Sequence, residues 1–195
     1  MNAVLPPSEL DVAERLFDVN DLLAMSAAGL FGEGENVELI DGRLVVAPSE
    51  GSAHFGVNGA VTDIMTALAR AEGSVRCDVN ATVELTTRRV LNPDGMMLAK
   101  GALRPPALPG PADVKLVVEV ADRSIGYDEG AKKRLYAEAA LAELWIVRVP
   151  QGDLHVLRQA KDGLWLDERI LRAGETIAPL FAPAHQVAVS DLFDI

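Results

Sequence analysis

Residues 115–121 read KLVVEVA, and all but Lys115 and Glu119 are apolar. A run this continuous suits a strand in the middle of a sheet that is covered on both faces. Glu119 interrupts it. A carboxylate in such a strand is costly to bury unless it is paired or holds a cation. The stretch therefore predicts a layered structure of sheet and helices, and it marks the place where chemistry is expected first.

Toward the C-terminus, Tyr127 to Ala140 has the composition of a helix. Asp128 and Glu129 stand at its start, where the helix dipole favours negative charge. Glu143 to Val149 (ELWIVRV) is a further strand. Leu154–Arg158 and Leu164–Arg169 form a hairpin across Lys161-Asp162-Gly163. A short strand near Val187–Val189 and a turn into LFDI end the chain.

Toward the N-terminus, residues 101–113 are a proline-rich loop, long for a compact domain, which suggests a functional edge or flap. Asp94 to Ala99 is a short strand entered from Pro93. TTRRVLN (86–92) reads as a polar, basic loop, and Ser74 to Leu85 as one bent strand or two. Ser52 to Glu72 is the longest helical pattern, with Val57, Val61, Ile64, Met65 and Leu68 along one face and Gly73 to close it. Asn36–Ile40 and Arg43–Ala47 make a hairpin across Asp41-Gly42. Asp18 to Ala28 is a short capped helix. The organisation expected is a flexible arm over 1–16 and one domain over 17–195. Its fold class is α/β (α+β): a mixed central sheet flanked by helices, with N-terminal and C-terminal β-hairpins.

The bulk composition narrows the function. The chain has 195 residues, 49% hydrophobic and 24% charged, enough for a substantial core. Its net charge of -11 argues against a broad phosphate-tracking surface, which needs clustered Lys and Arg. A single cysteine, Cys77, precludes an intrachain disulfide and points to a reducing compartment. No signal-peptide pattern and no stretch of membrane-spanning length appears, so a soluble cytoplasmic protein with no membrane partner is expected.

Asp94 and Glu119, on strands that are candidates for neighbours, together with Lys132 on the following helix, form the candidate site. Two carboxylates can hold a hard divalent cation such as Mg²⁺ or Mn²⁺. The cation polarises a phosphoryl oxygen and acidifies a bound water, and a lysine nearby orients that water or stabilises developing negative charge. The bland alternative is an exposed Asp after a turn and a Glu salt-bridged to Lys132. His54, near a helix start, is a possible contact to the site or else a capping residue. Arg88, Arg89, Lys100 and Arg104 cluster on loops near Asp94 as candidate nucleic-acid contacts, or as a solvated loop. No zinc-ligand spacing and no GxSxG context is present.

The pieces FDVNDLLAM, VELIDGRLV, a His at the next helix start, NPD, LVVEV, DEGAKKRLYAEAALAELWIV and a terminal LF follow one another over roughly residues 17–193. This ordered string resembles the Uma-two family of restriction endonucleases, within the PD-(D/E)XK nuclease-like superfamily. The resemblance implies a restriction-endonuclease-like fold and Mg²⁺-dependent cleavage of DNA, with a homodimer expected. It makes Asp94 the acid of the PD element, Glu119 the second acid and Lys132 the lysine, relocated to the helix because Ala121 stands two residues after Glu119. Glu38 matches the acid of the ELIDG element as a supporting residue. The chain departs from the pattern at Gly95, where a bulky aliphatic residue is usual, at Asp122, where a serine is usual, and at Ala140, where a glycine is typical. These departures, with the net charge, support an alternative: a catalytically inactive nuclease-fold protein used for binding or assembly.

Overall fold

The computed structural model describes residues 13–47, 50–102 and 107–194. The expected arm thus falls largely outside the described residues; within its described end, Glu14 pairs with Arg43 at 2.7 Å.

The chain folds in the order α1 (Val19–Ala27), β1 (Val37–Ile40), β2 (Arg43–Val46), α2 (Ser52–Glu72), β3 (Val75–Val79), β4 (Val83–Thr86), β5 (Arg89–Leu91), β6 (Gly95–Ala99) and β7 (Val114–Ala121). A helical segment follows in three pieces: α3 (Ile125–Tyr127), a π-helical turn (Asp128–Lys132) and α4 (Lys133–Glu138). Then come β8 (Glu143–Arg148), β9 (Asp153–Lys161), β10 (Leu164–Arg172), β11 (Thr176–Ile177), β12 (Val187–Ala188) and a closing 3₁₀ turn (Val189–Phe193).

The main sheet has six strands in the order β10-β9-β8-β7-β6-β3. Only β7 and β8 are parallel, joined by the helical crossover; the other neighbours are antiparallel. KLVVEVA is therefore central, as its composition requires. Leu116, Val118 and Val120 face one way, into a core with Val57, Val61, Met65 and Leu68 of α2. Val117 and Ala121 face the other way, toward Leu135 and Tyr136 of α4 and toward Val83, Leu85 and Leu91. Those last residues belong to a second sheet, β2-β1-β5-β4, which packs on this face.

The turn residues dictate both hairpins. Asp41 and Gly42 adopt φ of 50° and 81°, and Asp162 and Gly163 adopt 52° and 77°. Two successive positive φ values give the tight turn whose twist matches a hairpin. The C-terminal hairpin is longer than the sequence suggested, reaching Arg172. α2 ends at Gly73 with φ 67°, where a side chain would be strained.

Two expectations are corrected, and one left open is resolved. TTRRVLN is not a loop: Val90 and Leu91 are fully buried in β5, which pairs with β1 and β4. A three-residue strand flanked by arginines is too short to show period-two alternation. Ser74–Leu85 breaks at Asn80 (φ 47°) into strands of two different sheets. The third helix starts at Ile125, widens into a π turn and ends at Glu138.

Two of the departures have a local explanation. A Cβ on Gly95 would lie 2.7 Å from Met65 Sδ, so glycine lets α2 approach β6. Ala140 has φ 55°, the left-handed conformation that glycine adopts at low cost.

Candidate active site

The site lies at one end of β6 and β7, against the helical segment. Asp94 just precedes β6, and its Oδ2 accepts a hydrogen bond of 2.6 Å from the Val120 amide. Glu119 points from β7 toward the helical segment, where both its oxygens are engaged. Lys132 Nζ donates to Oε2 at 3.0 Å and the Tyr136 hydroxyl donates to Oε1 at 2.6 Å. Lys132 also lies 3.4 Å from Glu38 Oε1 and 3.7 Å from Asp128 Oδ1, with Nζ 5.6 Å from the Tyr127 ring centroid. The π turn matters here: widened turns of this kind recur at functional sites. This one brings Tyr127, Asp128 and Lys132 to a single inward face beside Tyr136.

Asn92 ties the second sheet to the site. Its amide N–H donates to Glu38 Oε1 at 2.8 Å, its Nδ2 donates to Asn36 Oδ1 at 2.7 Å and to the Val37 carbonyl at 3.0 Å, and its Oδ1 accepts from Thr82. The Tyr127 hydroxyl donates to the other oxygen of Glu38.

The electrostatics are lopsided. Glu38, Glu119 and Asp128 are 0%, 1% and 3% exposed, and they share one ammonium, that of Lys132 (4% exposed). Burial pushes Glu119 well above the usual carboxylate range despite Lys132, and it raises Asp128 in the same way. Burial alone would lower Lys132, but Glu119, Glu38, Asp128 and Asp94 outweigh it and hold the ammonium charged.

A second group meets Asp94 from α2. His54 Nε2 is 3.1 Å from Asp94 Oδ1, and His54 Nδ1 is 3.3 Å from Glu50 Oε2. Ligand atoms of Glu50, His54 and Asp94 all lie within 4.8 Å of one another. His54 is 3% exposed, and its Nδ1 is buried without a hydrogen-bond partner. Burial opposes charge on this imidazole, but the hydrogen bond to Asp94 and the nearby charges of Asp94, Glu50 and Asp128 raise its pKa above the ordinary value. Oxygen and imidazole donors around a void form a donor set that fits a divalent cation.

Asp94, Glu119, Lys132 and His54 line one cavity of about 30 Å³, with Asp128 and Glu50. That is room for a water molecule or two. It adjoins a groove of about 530 Å³ lined by Glu35, Asn36, Asn80, Thr82 and Asn92. Among the described residues, no Lys or Arg lines that groove.

Of the residues singled out from sequence, the structure brings together Asp94, Glu119, Lys132, Glu38 and His54. It does not bring the basic residues to the cavity. Arg89 is held by Asp41 and Glu138, Lys100 donates to the Gly73 carbonyl at 2.8 Å beyond the far end of β6, and Arg88 sits in the β4–β5 turn. Arg104 lies outside the described residues. Asp122 points to the start of α2, near Gly51, and does not line the cavity. Sequence reading passed over Glu50, Tyr127, Asp128 and Tyr136 as site residues. For Asp128 and Tyr136 the available signal was their four-residue spacing on either side of Lys132, about one helical turn each; Glu50 stands four residues before His54 but ahead of α2, and Tyr127 carried no such signal.

Comparison with known proteins gives this mixed sheet and its carboxylate–lysine cluster a family. The model of the Uma2 family, described as "Putative restriction endonuclease", matches residues 19–190, and the chain belongs to this family. Among solved structures, the fold is similar to a crystal structure described as a putative nuclease of the DUF820 group from Anabaena variabilis. The TM-score is 0.68 at 12% identity, over 91% of this chain and 97% of that one. At that identity the likeness speaks to the fold. No curated protein matches the chain.

Proposed function

We propose that this protein is a divalent-metal-dependent endonuclease that hydrolyses phosphodiester bonds in DNA, with Asp94, Glu119 and Lys132 as its catalytic residues. The carrying observation is that Asp94, Glu119 and Lys132 line one cavity, with the lysine ammonium 3.0 Å from Glu119. Asp94 and Glu119 would hold the cation, Mg²⁺ or Mn²⁺, with His54 and Glu50 beside Asp94 as further donors. When bound, the cation neutralises phosphate charge and acidifies a water. Lys132 orients that water and donates to the developing negative charge. Glu38 and Asp128 keep Lys132 charged and aimed, while Tyr136 fixes the rotamer of Glu119. Among the described residues no helix is long and apolar enough to cross a membrane. In this reading the enzyme works in the cytoplasm as a homodimer.

The test is nicking of supercoiled plasmid with Mg²⁺ or Mn²⁺, wild type against Glu119→Ala. Cation-dependent nicking that disappears in the variant supports the reading; equal nicking by both overturns it. A second reading, a nuclease-fold binding module without cleavage, draws on the acidic groove and the net charge of -11. Cation-dependent DNA binding with no nicking by the wild type would favour it.

A further inference from the structure

We infer that the DNA this site takes is unpaired, and that Phe55 is the platform on which one of its bases stacks. The inference rests on the nuclease reading and specifies the form of DNA for it.

Two hollows open beside the cavity that Asp94, Glu119 and Lys132 line. One is the groove of about 530 Å³ next to Asn92; the other, of about 480 Å³, is walled by Val46, Ala47 and Phe55. Asn36 and Glu50 line all three, so the hollows and the cavity are continuous. Phe55 is 63% exposed and Val46 58%, an apolar pair at the mouth of a polar site. Exposed apolar residues scattered singly are ordinary, but these two face one hollow. Phe55 follows His54 in the first turn of α2, and the two rings stand edge to face with centroids 6.0 Å apart. His54 Nε2 is in turn 3.1 Å from Asp94. The Phe55 ring therefore borders the candidate cation donors.

The charge around the site narrows the form of DNA. Among the described residues neither hollow is lined by Lys or Arg, whereas Glu35 and Glu50 line both. A duplex is held chiefly through its phosphates, which need cationic side chains. Here the carboxylates repel a phosphate track, and a cation beside Asp94 offsets that only locally. An unpaired strand offers a different contact. Its bases can be splayed out, and an aromatic ring stacks on them with little dependence on backbone charge. The groove adds a neutral polar group: Asn80 is exposed, and its side-chain amide has no hydrogen-bond partner among the described residues. It is free to meet a base edge. In an intact duplex the base faces are stacked on one another, and Phe55 finds none to cover.

Fluorescence anisotropy on the full chain tests the platform. Binding is measured with Mn²⁺ in the Glu119→Ala background, which keeps the ligand uncut. Three labelled ligands are compared: a single strand, the same strand annealed to its complement, and an abasic oligomer of equal length. The single strand is expected to bind roughly 10-fold tighter than the duplex or the abasic oligomer. Adding Phe55→Ala should weaken the single strand by roughly 5- to 150-fold, the worth of one stacked base, and leave the other two ligands unchanged. Adding Phe55→Trp should keep the single-strand affinity, and the single strand alone should quench the added indole fluorescence. Duplex bound as tightly as single strand, a Phe55→Ala loss that the abasic oligomer shares, no loss at all, or no binding of any ligand would overturn the proposal. Cleavage is read separately, as Mn²⁺-dependent cutting by the protein with Glu119 intact, so failure of the platform and failure of the nuclease reading are told apart.

Discussion

Glu119 in β7 and Glu143 in β8 lie in adjacent central strands, and both are essentially fully buried, at 1% and 0% exposure. Burial raises the pKa of both. Their surroundings differ in kind. Glu143 has its own counter-charge: Arg158 Nε donates to Oε1 at 2.8 Å, Trp145 Nε1 donates to the same oxygen at 2.8 Å, and the Leu180 amide donates to Oε2 at 2.6 Å. One carboxylate meets one guanidinium, and the group is closed. Glu119 shares a single ammonium with Glu38 and Asp128 and faces a cavity that also holds Asp94 and His54. A buried acid in a central strand is therefore not a site by itself. In the proposed reading, it is the surplus of buried carboxylates beside a void that a cation and a substrate would complete.

That contrast can be broken by substitution. Glu119→Ala and Lys132→Met should each reduce plasmid nicking by about 10²–10³-fold. Glu143→Ala should leave nicking per folded molecule unchanged. It should instead cost up to about 3–5 kcal/mol of stability in urea unfolding, because the partly buried Arg158 charge (side chain 12% exposed) loses its partner. Equal loss of nicking in Glu143→Ala would erase the distinction.

A divalent cation should stabilise one cluster and not the other. At a concentration about 100-fold over its dissociation constant, Mn²⁺ should add about 2.7 kcal/mol to the wild type. The gain should vanish in Asp94→Asn and persist in Glu143→Gln, as read by thermal unfolding with and without EDTA.

The pH dependence follows from the raised pKa of Glu143. Its folded form binds a proton more tightly than the unfolded chain does. Stability therefore falls as pH rises from the ordinary carboxylate range, near about 4.3, through the raised folded value. Glu143→Gln should flatten part of that slope in urea titrations from acidic to neutral pH; an unchanged slope would remove Glu143 from the account.

The smallest effect concerns the end of α4. Ala140→Gly should raise stability by about 0.5–1 kcal/mol, since φ 55° strains a residue with a Cβ while glycine loses some backbone entropy on folding. Nicking should not change.

Much of this molecule is determined locally. Asp41-Gly42 and Asp162-Gly163 specify their turns through their own backbone preferences. Gly73 ends α2, and the apolar run around Glu119 requires burial on both faces of a sheet. Asp94, Glu119 and Lys132 were legible as residue types at suggestive positions, and the ordered motifs pointed to the family. What no local rule carries is who shares a charge with whom. Glu38 meets Tyr127 across 89 positions and Asn92 across 54, through the packing of a second sheet on the first. The same packing made a strand of Arg89–Leu91, tied Arg89 to Asp41 and Glu138, and set Glu50 and His54 against Asp94. It also closed Glu143 with Arg158, although Glu143 and Glu119 look alike in the sequence as acids among apolar strand residues. Backbone preference acts over a few residues and is written along the chain. Charge balance is a property of a volume, and only the tertiary structure decides which residues share it.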